Sequence, residues 1–110
     1  MDINITTLEQ VTAIALTGDI DASTAPKVQA QVLPLAQTES RLLMDMTKVP
    51  YMSSAGLRML LSLYRQISAN EGKLVLVGLS EEIKDTMSIT GFLDFFTTCE
   101  TFDTGLAALN

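Results

Sequence analysis

The sequence predicts an α/β domain with a mainly parallel central sheet, an antiparallel strand at its N-terminal edge and four helices packed against it. Three observations lead there. Lys73-Leu74-Val75-Leu76-Val77-Gly78 is a nearly continuous apolar and β-branched run, the pattern of a strand covered on both faces. Leu57, Leu60, Leu61, Tyr64 and Ile67 recur at the i, i+3, i+4, i+7 spacing of a helix with its core face turned inward. Strand and helix patterns then alternate along the chain after an initial hairpin, and successive strands joined by helical crossovers run parallel.

Taken in order, Ile3, Ile5 and Leu8 mark a short first strand, Glu9-Gln10 a turn, and Val11-Thr12-Ala13-Ile14-Ala15-Leu16-Thr17 the second strand of a hairpin. Gly18-Asp19-Ile20-Asp21 ends that strand. Ser23-Thr24-Ala25-Pro26 starts a helix with a cap hydroxyl and an early proline, and Ala25, Val28, Val32 and Leu35 carry its inward face. Pro34 should kink this helix or leave it one further turn. Leu42 to Met46 reads as a buried strand, Ser54 to Asn70 as the second helix, stopped by Glu71-Gly72, and Lys73 to Val77 as the next strand.

Ser80 with Glu81 and Glu82 opens a third helix that turns Ile83 and Met87 inward and ends before Gly91. Leu93, Phe95, Phe96 and Cys99 are expected to form a last short strand. Thr101 to Leu109 makes a terminal helix, begun by Asp103 or Thr104 and covering the core with Leu106 and Leu109. No internal repeat, low-complexity tract or linker interrupts residues 1–110, so they are expected to form a single domain.

A chain of 110 residues can bury something like 65% of the surface its unfolded form exposes, enough for a proper core. The net charge of −6, with 7 Lys+Arg and no cluster of them, lacks the footprint of nucleic-acid binding and suits a basic or mixed protein surface. One cysteine, Cys99, rules out an intrachain disulfide. With no histidine there is no standard zinc site, and no metal or cofactor is expected. The start of the chain lacks a basic segment followed by a long apolar one, and the longest apolar run, Leu74 to Leu79, is too short to span a bilayer. The expectation is a cytoplasmic protein without membrane association.

The one polar, conformationally special stretch set in apolar sequence is Val49-Pro50-Tyr51-Met52-Ser53-Ser54-Ala55-Gly56-Leu57-Arg58, a strand-to-helix turn. Ser53 or Ser54 can cap the helix, and the unpaired N–H groups and the dipole at that end favour an anion. On a helical wheel, Leu57, Leu60, Tyr64 and Ile67 face the sheet, while Ser54, Arg58 and Arg65 fall together near the opposite side. Met59, Leu61 and Leu63 widen the apolar face beyond what covering a sheet requires. They form either an interaction surface with Ser54 at its tip or a seam buried by the neighbouring helix.

A serine on such a turn invites comparison with a nucleophile elbow, but there is no G-x-S-x-G, no histidine to act as base and no S-x-x-K, so hydrolysis is not expected and neither is any other enzymatic activity. Neither phosphate-loop spacing is present. Covalent phosphorylation fits better. A phosphoserine adds about −1.5 to −2 charge, which a helix N-terminus accommodates without unfolding the domain, while a partner docked over the site would be opposed by repulsion and desolvation.

Tyr51-Met52-Ser53-Ser54-Ala55-Gly56-Leu57-Arg58-Met59-Leu60 resembles the signature of STAS domains, specifically of bacterial anti-sigma factor antagonists. Gly18-Asp19-Ile20-Asp21 with Ala25-Pro26 resembles that family's first strand-to-helix loop, and agreement runs in order through Leu42 to Asp45 and Lys73 to Val77. The resemblance implies that Ser54, two residues before the glycine, is phosphorylated by a partner that is both serine kinase and anti-sigma factor, with Ser53 as the alternative acceptor. It implies that the unphosphorylated protein binds this anti-sigma factor and frees the sigma factor, in a stress response or another transcriptional programme, and that a PP2C-type phosphatase resets the switch. The implied partner surface comprises Asp19, Asp21, Ser23, Ser53, Ala55, Gly56, Arg58, Met59 and Leu61, with capping of the following helix as the competing role for Asp21. Position 53 is often Asp in that family and is Ser here; position 55 is often Ser and is Ala here. The alternative assignment is a STAS scaffold or accessory subunit in another kinase/phosphatase, stress-signalling or lipid-transport assembly.

Overall fold

A computed structural model describes the chain from Met1 to Asn110. Strands β1 (Asp2–Leu8) and β2 (Val11–Thr17) form the hairpin, with Leu8 opposite Val11 and Glu9 taking a left-handed φ of 57° in the turn. Helix α1 (Ala25–Val32) follows and runs into a 3₁₀ turn at Leu33–Leu35, the one extra turn that Pro34 allows. Then come β3 (Arg41–Lys48), α2 (Ser54–Ala69), β4 (Lys73–Val77), α3 (Glu81–Ile89), a 3₁₀ turn at Leu93–Phe95, β5 (Thr97–Cys99) and α4 (Phe102–Leu109).

The strands lie in sequence order, β1-β2-β3-β4-β5, antiparallel for the first pair and parallel for the rest. The sequence-based architecture therefore holds. β5 differs from expectation: Leu93 and Phe95 are in the 3₁₀ turn, Phe96 follows it, and only Thr97–Cys99 pairs with β4. The aromatic side chains that looked like strand residues stack instead on Tyr64 of α2, with ring centroids at 5.3 Å for Phe96 and 6.1 Å for Phe95.

Alternation along the strands divides the apolar residues between two faces. Ile14, Leu16, Leu42, Met44, Met46, Leu74 and Leu76 enter a core of 24 buried residues that also takes Val28 and Val32 of α1, the apolar side of α2, and Ile83 and Met87 of α3. The other face sends Val11, Leu43, Val75 and Val77 to a cluster of five completed by Leu109 of α4, with Leu106 packed against it. α4 starts at Phe102, one or two residues earlier than Asp103 or Thr104 would place it. Thr101 is the cap, in a reciprocal box with Thr104.

Candidate functional site at the start of the second helix

Two strand-to-helix connections, β2 to α1 and β3 to α2, meet at one end of the sheet. Gly18 N–H donates to Lys48 O at 3.0 Å, Ile20 N–H to Tyr51 O at 3.0 Å and Ser53 N–H to Ile20 O at 2.8 Å, so that Ile20 and Met52 form a short parallel bridge beyond the strands. Ile20 is fully buried and anchors its loop to the serine turn. This stitching brings Asp19, Asp21 and Ser23 to the same end of the molecule as Ser53 and Ser54.

Gly56 lies beneath the bridge. A Cβ there would stand 2.7 Å from Met52 Cγ, 2.8 Å from Ile20 Cγ2 and 3.0 Å from Ile20 O, so only glycine lets the helix pack this closely. Gly56 is buried by its own chain, which corrects its expected place on a partner surface.

The two serines differ in role. Ser53 is the N-cap, extended at φ −80° and ψ 175°, and its Oγ accepts the Gly56 N–H at 3.4 Å. Ser54 is the first helical residue, exposed, and its hydroxyl makes no hydrogen bond within the protein. Nothing acidic occupies the first turn of α2, so its N-terminal N–H groups and positive dipole end are not offset locally. Arg58 is exposed one turn on, and Arg65 is exposed two turns further; neither is in an ion pair.

The loop from β2 spends its polar atoms on itself. Asp21 Oδ1 accepts from Ser23 N at 2.9 Å, Ser23 Oγ at 2.7 Å and Thr24 N at 3.1 Å. These bonds, led by the Ser23 hydroxyl, hold the Asp21 carboxyl below its ordinary pKa, with slight desolvation acting the other way. Asp21 thus closes the turn that leads into α1, with Ser23 as its partner, and its carboxylate bonds no N–H group of the helix itself. Thr24 stands at the N-cap position of α1, but its hydroxyl turns back to donate to Asp19 O at 2.8 Å and to accept from Asp21 N–H at 2.9 Å, so the expected cap hydroxyl makes no cap bond. Asp19 remains exposed.

Met59, Leu61 and Leu63 are 4%, 9% and 0% exposed and belong to the main core. The apolar width of α2 is consumed inside the fold, which removes Met59 and Leu61 from the expected partner surface. In their place the surface beside Ser54 includes a shallow groove between α1 and α2, of about 310 Å³, walled by Ala22, Pro26, Gln29, Ala55, Arg58 and Ser62. Gln29 Nε2 donates to Ser62 Oγ across it at 3.4 Å. The sequence signal for Pro26 and Gln29 is their helical spacing, which sets both to one side of the inward Ala25-Val28-Val32 line.

Two bridged loops at one end of an α/β sheet thus present an exposed serine at a helix start. The chain belongs to the STAS domain family, whose model matches residues 2–105, and within it groups with the anti-sigma factor antagonists. It is 36% identical over 83 residues to the anti-sigma-B factor antagonist of Listeria monocytogenes, covering 74% of this chain and 72% of that protein. The fold is similar to that of an anti-sigma factor antagonist from Mycobacterium paratuberculosis, with a TM-score of 0.87, 22% identity and coverage of 98% and 92%. It is also similar to the Bacillus cell fate determinant SpoIIAA in its phosphorylated form, with a TM-score of 0.75, 15% identity and coverage of 99% and 100%. No helix is long and apolar enough to cross a membrane.

Proposed function

We propose that this chain is an anti-sigma factor antagonist switched by phosphorylation of Ser54. The observation that carries the reading is the division of labour at the turn: Ser53 Oγ is committed to the cap, while Ser54 Oγ is exposed and unbonded. The unphosphorylated protein docks on an anti-sigma factor through Ser54, Arg58 and the Asp19 loop, and so releases a sigma factor in the cytoplasm. The anti-sigma factor is itself the serine kinase. Ser54 Oγ attacks the γ-phosphorus of ATP, the bond to the ADP oxygen breaks, and the serine proton passes to a base of the kinase. This chain has no histidine to play that part and acts as substrate rather than catalyst.

The new phosphate sits where the free N–H groups and dipole of α2 tolerate it, so the fold persists while the docking surface gains about −1.5 to −2 charge. Desolvating that dianion under a partner opposes docking, and a PP2C-type phosphatase restores the serine by hydrolysis. Intact-mass spectrometry with fragment mapping, after incubation with ATP and the anti-sigma kinase of the same genome, should find one phosphate on Ser54. Ser54→Ala should keep partner affinity, and Ser54→Asp should lose about tenfold or more. Equal affinities would overturn the switch, and absence of phosphate with every such kinase would point to a constitutive scaffold or transporter-associated subunit.

A further inference from the structure

Helix α2 carries two arginines, Arg58 and Arg65, and no carboxylate along its 16 residues. Neither arginine serves the helix dipole, since the last turn holds no basic residue and the first turn no acidic one. Arg58 is exposed, and the salt bridges of the chain are those of Lys84 with Glu81 and Glu100. An arginine with no acid three or four residues away has no ionic partner on its own helix. Four residues before Arg58 stands Ser54, exposed and unbonded.

Residues four apart on a helix are neighbours, with Cβ atoms about 5–6 Å apart, and an anion on the N-terminal side of a cation is the better order. A phosphate on Ser54 supplies that anion, with three acceptor oxygens suited to the fork of a guanidinium. Competing groups are committed or stand elsewhere. Ser62, four residues after Arg58, accepts from Gln29, and the Asp21 carboxylate is bonded within its own turn. On the segments packed against the start of α2, the other charged side chains are Asp19, Lys27 and Lys48, all exposed. Lys27 lines a separate cavity with Met1 and Ile3, which leaves Lys48, at the end of β3, as the rival cation.

We propose that Arg58 is the internal counter-cation of a phosphate on Ser54, and that phosphorylation thereby withdraws Arg58 from the docking surface. The inference rests on Ser54 being the modified residue. In the unmodified protein the guanidinium is free to hold a carboxylate of the partner. The switch then has two halves: the partner meets a new negative charge and loses the cation it had held.

The test installs phosphoserine at position 54 by suppression of a stop codon, so that the pairing is read without any kinase. Followed by phosphorus NMR, the phosphate, whose second pKa is ordinarily about 6, should titrate about 0.3 pH unit lower in the parent than in Arg58→Gln. Lys48→Gln and Arg65→Gln should leave the titration where it is in the parent. The Arg58 side-chain Nε–H resonance should move on phosphorylation, and that of Arg65 should not. With the anti-sigma kinase as partner, the ratio of affinities between the unmodified and modified forms should narrow about threefold in Arg58→Gln, because the variant has no cation to withdraw. A titration unchanged in Arg58→Gln, or one that follows Lys48 instead, would overturn the pairing. An affinity ratio that stays the same or widens would overturn the withdrawal. Failure of the kinase to modify Ser54 would instead overturn the proposed function, and the titration of the installed phosphoserine would still decide the pairing.

Discussion

The starts of α1 and α2 stand at the same end of the sheet and use the same kinds of residue, yet they dispose of their polar atoms in opposite ways. At α1, Asp21, Ser23 and Thr24 are bonded to one another and to the backbone, with Ala25 N–H also taken by Asp21 O at 2.8 Å. At α2, a single cap bond from Ser53 leaves the adjacent Ser54 hydroxyl unused. Hydroxyls and carboxylates at helix starts are ordinarily structural. Of the hydroxyls at these two helix starts, the one left over once the structural bonds are assigned is that of Ser54, which makes it the candidate acceptor.

The largest effect that bears on this contrast belongs to Gly56, because the bridge holding the two starts together rests on it. Gly56→Val would drive side-chain atoms into Met52, Ile20 and the Ile20 carbonyl, and should cost about 3 kcal/mol in urea unfolding. A near-neutral outcome would mean that the two loops can part without harm. Next in size, Ser53→Ala should cost about 1 kcal/mol through loss of the cap while leaving phosphorylation in place. Ser54→Ala should stay within about 0.5 kcal/mol of the parent and yet accept no phosphate. The reverse pattern of stabilities would exchange the roles of the two serines.

Much of this was legible beforehand because long, strongly periodic segments constrain their own structure. The β4 run, the inward line of α2 and the alternation of elements sufficed for the mainly parallel sheet with its antiparallel N-terminal edge strand. Other features depend on which neighbour an apolar or polar atom meets. The width of α2 at Met59, Leu61 and Leu63 is compatible with a docking surface until α1 and α3 are seen to share their core. Leu93 to Phe96 is too short for periodicity to separate a strand from a turn, and Tyr64, some thirty residues earlier, draws its aromatics out of the ladder. Whether Ser53 or Ser54 caps turns on one residue of helix boundary, which spacing does not resolve.

The smallest predicted effect sharpens the contrast from the α1 side. Asp21 is held below its ordinary carboxyl pKa of 3.8 chiefly by the Ser23 hydroxyl and then by backbone N–H groups. A depressed folded value means that the charged form stabilises the folded chain above the unfolded pKa, and that this contribution is lost as pH falls through the folded value. Asp21→Asn keeps the side-chain oxygen but removes the charge, so its urea midpoint should lie below that of the parent near pH 7. The gap should close as the medium is brought below the carboxyl's folded pKa. The site is open to solvent, so the gap should be small and should shrink further in high salt. Equal midpoints near pH 7 would mean that the Asp21 charge does nothing for the fold. A partner-binding defect in the same variant would then move Asp21 from the structural side of the comparison to the docking side, beside Ser54.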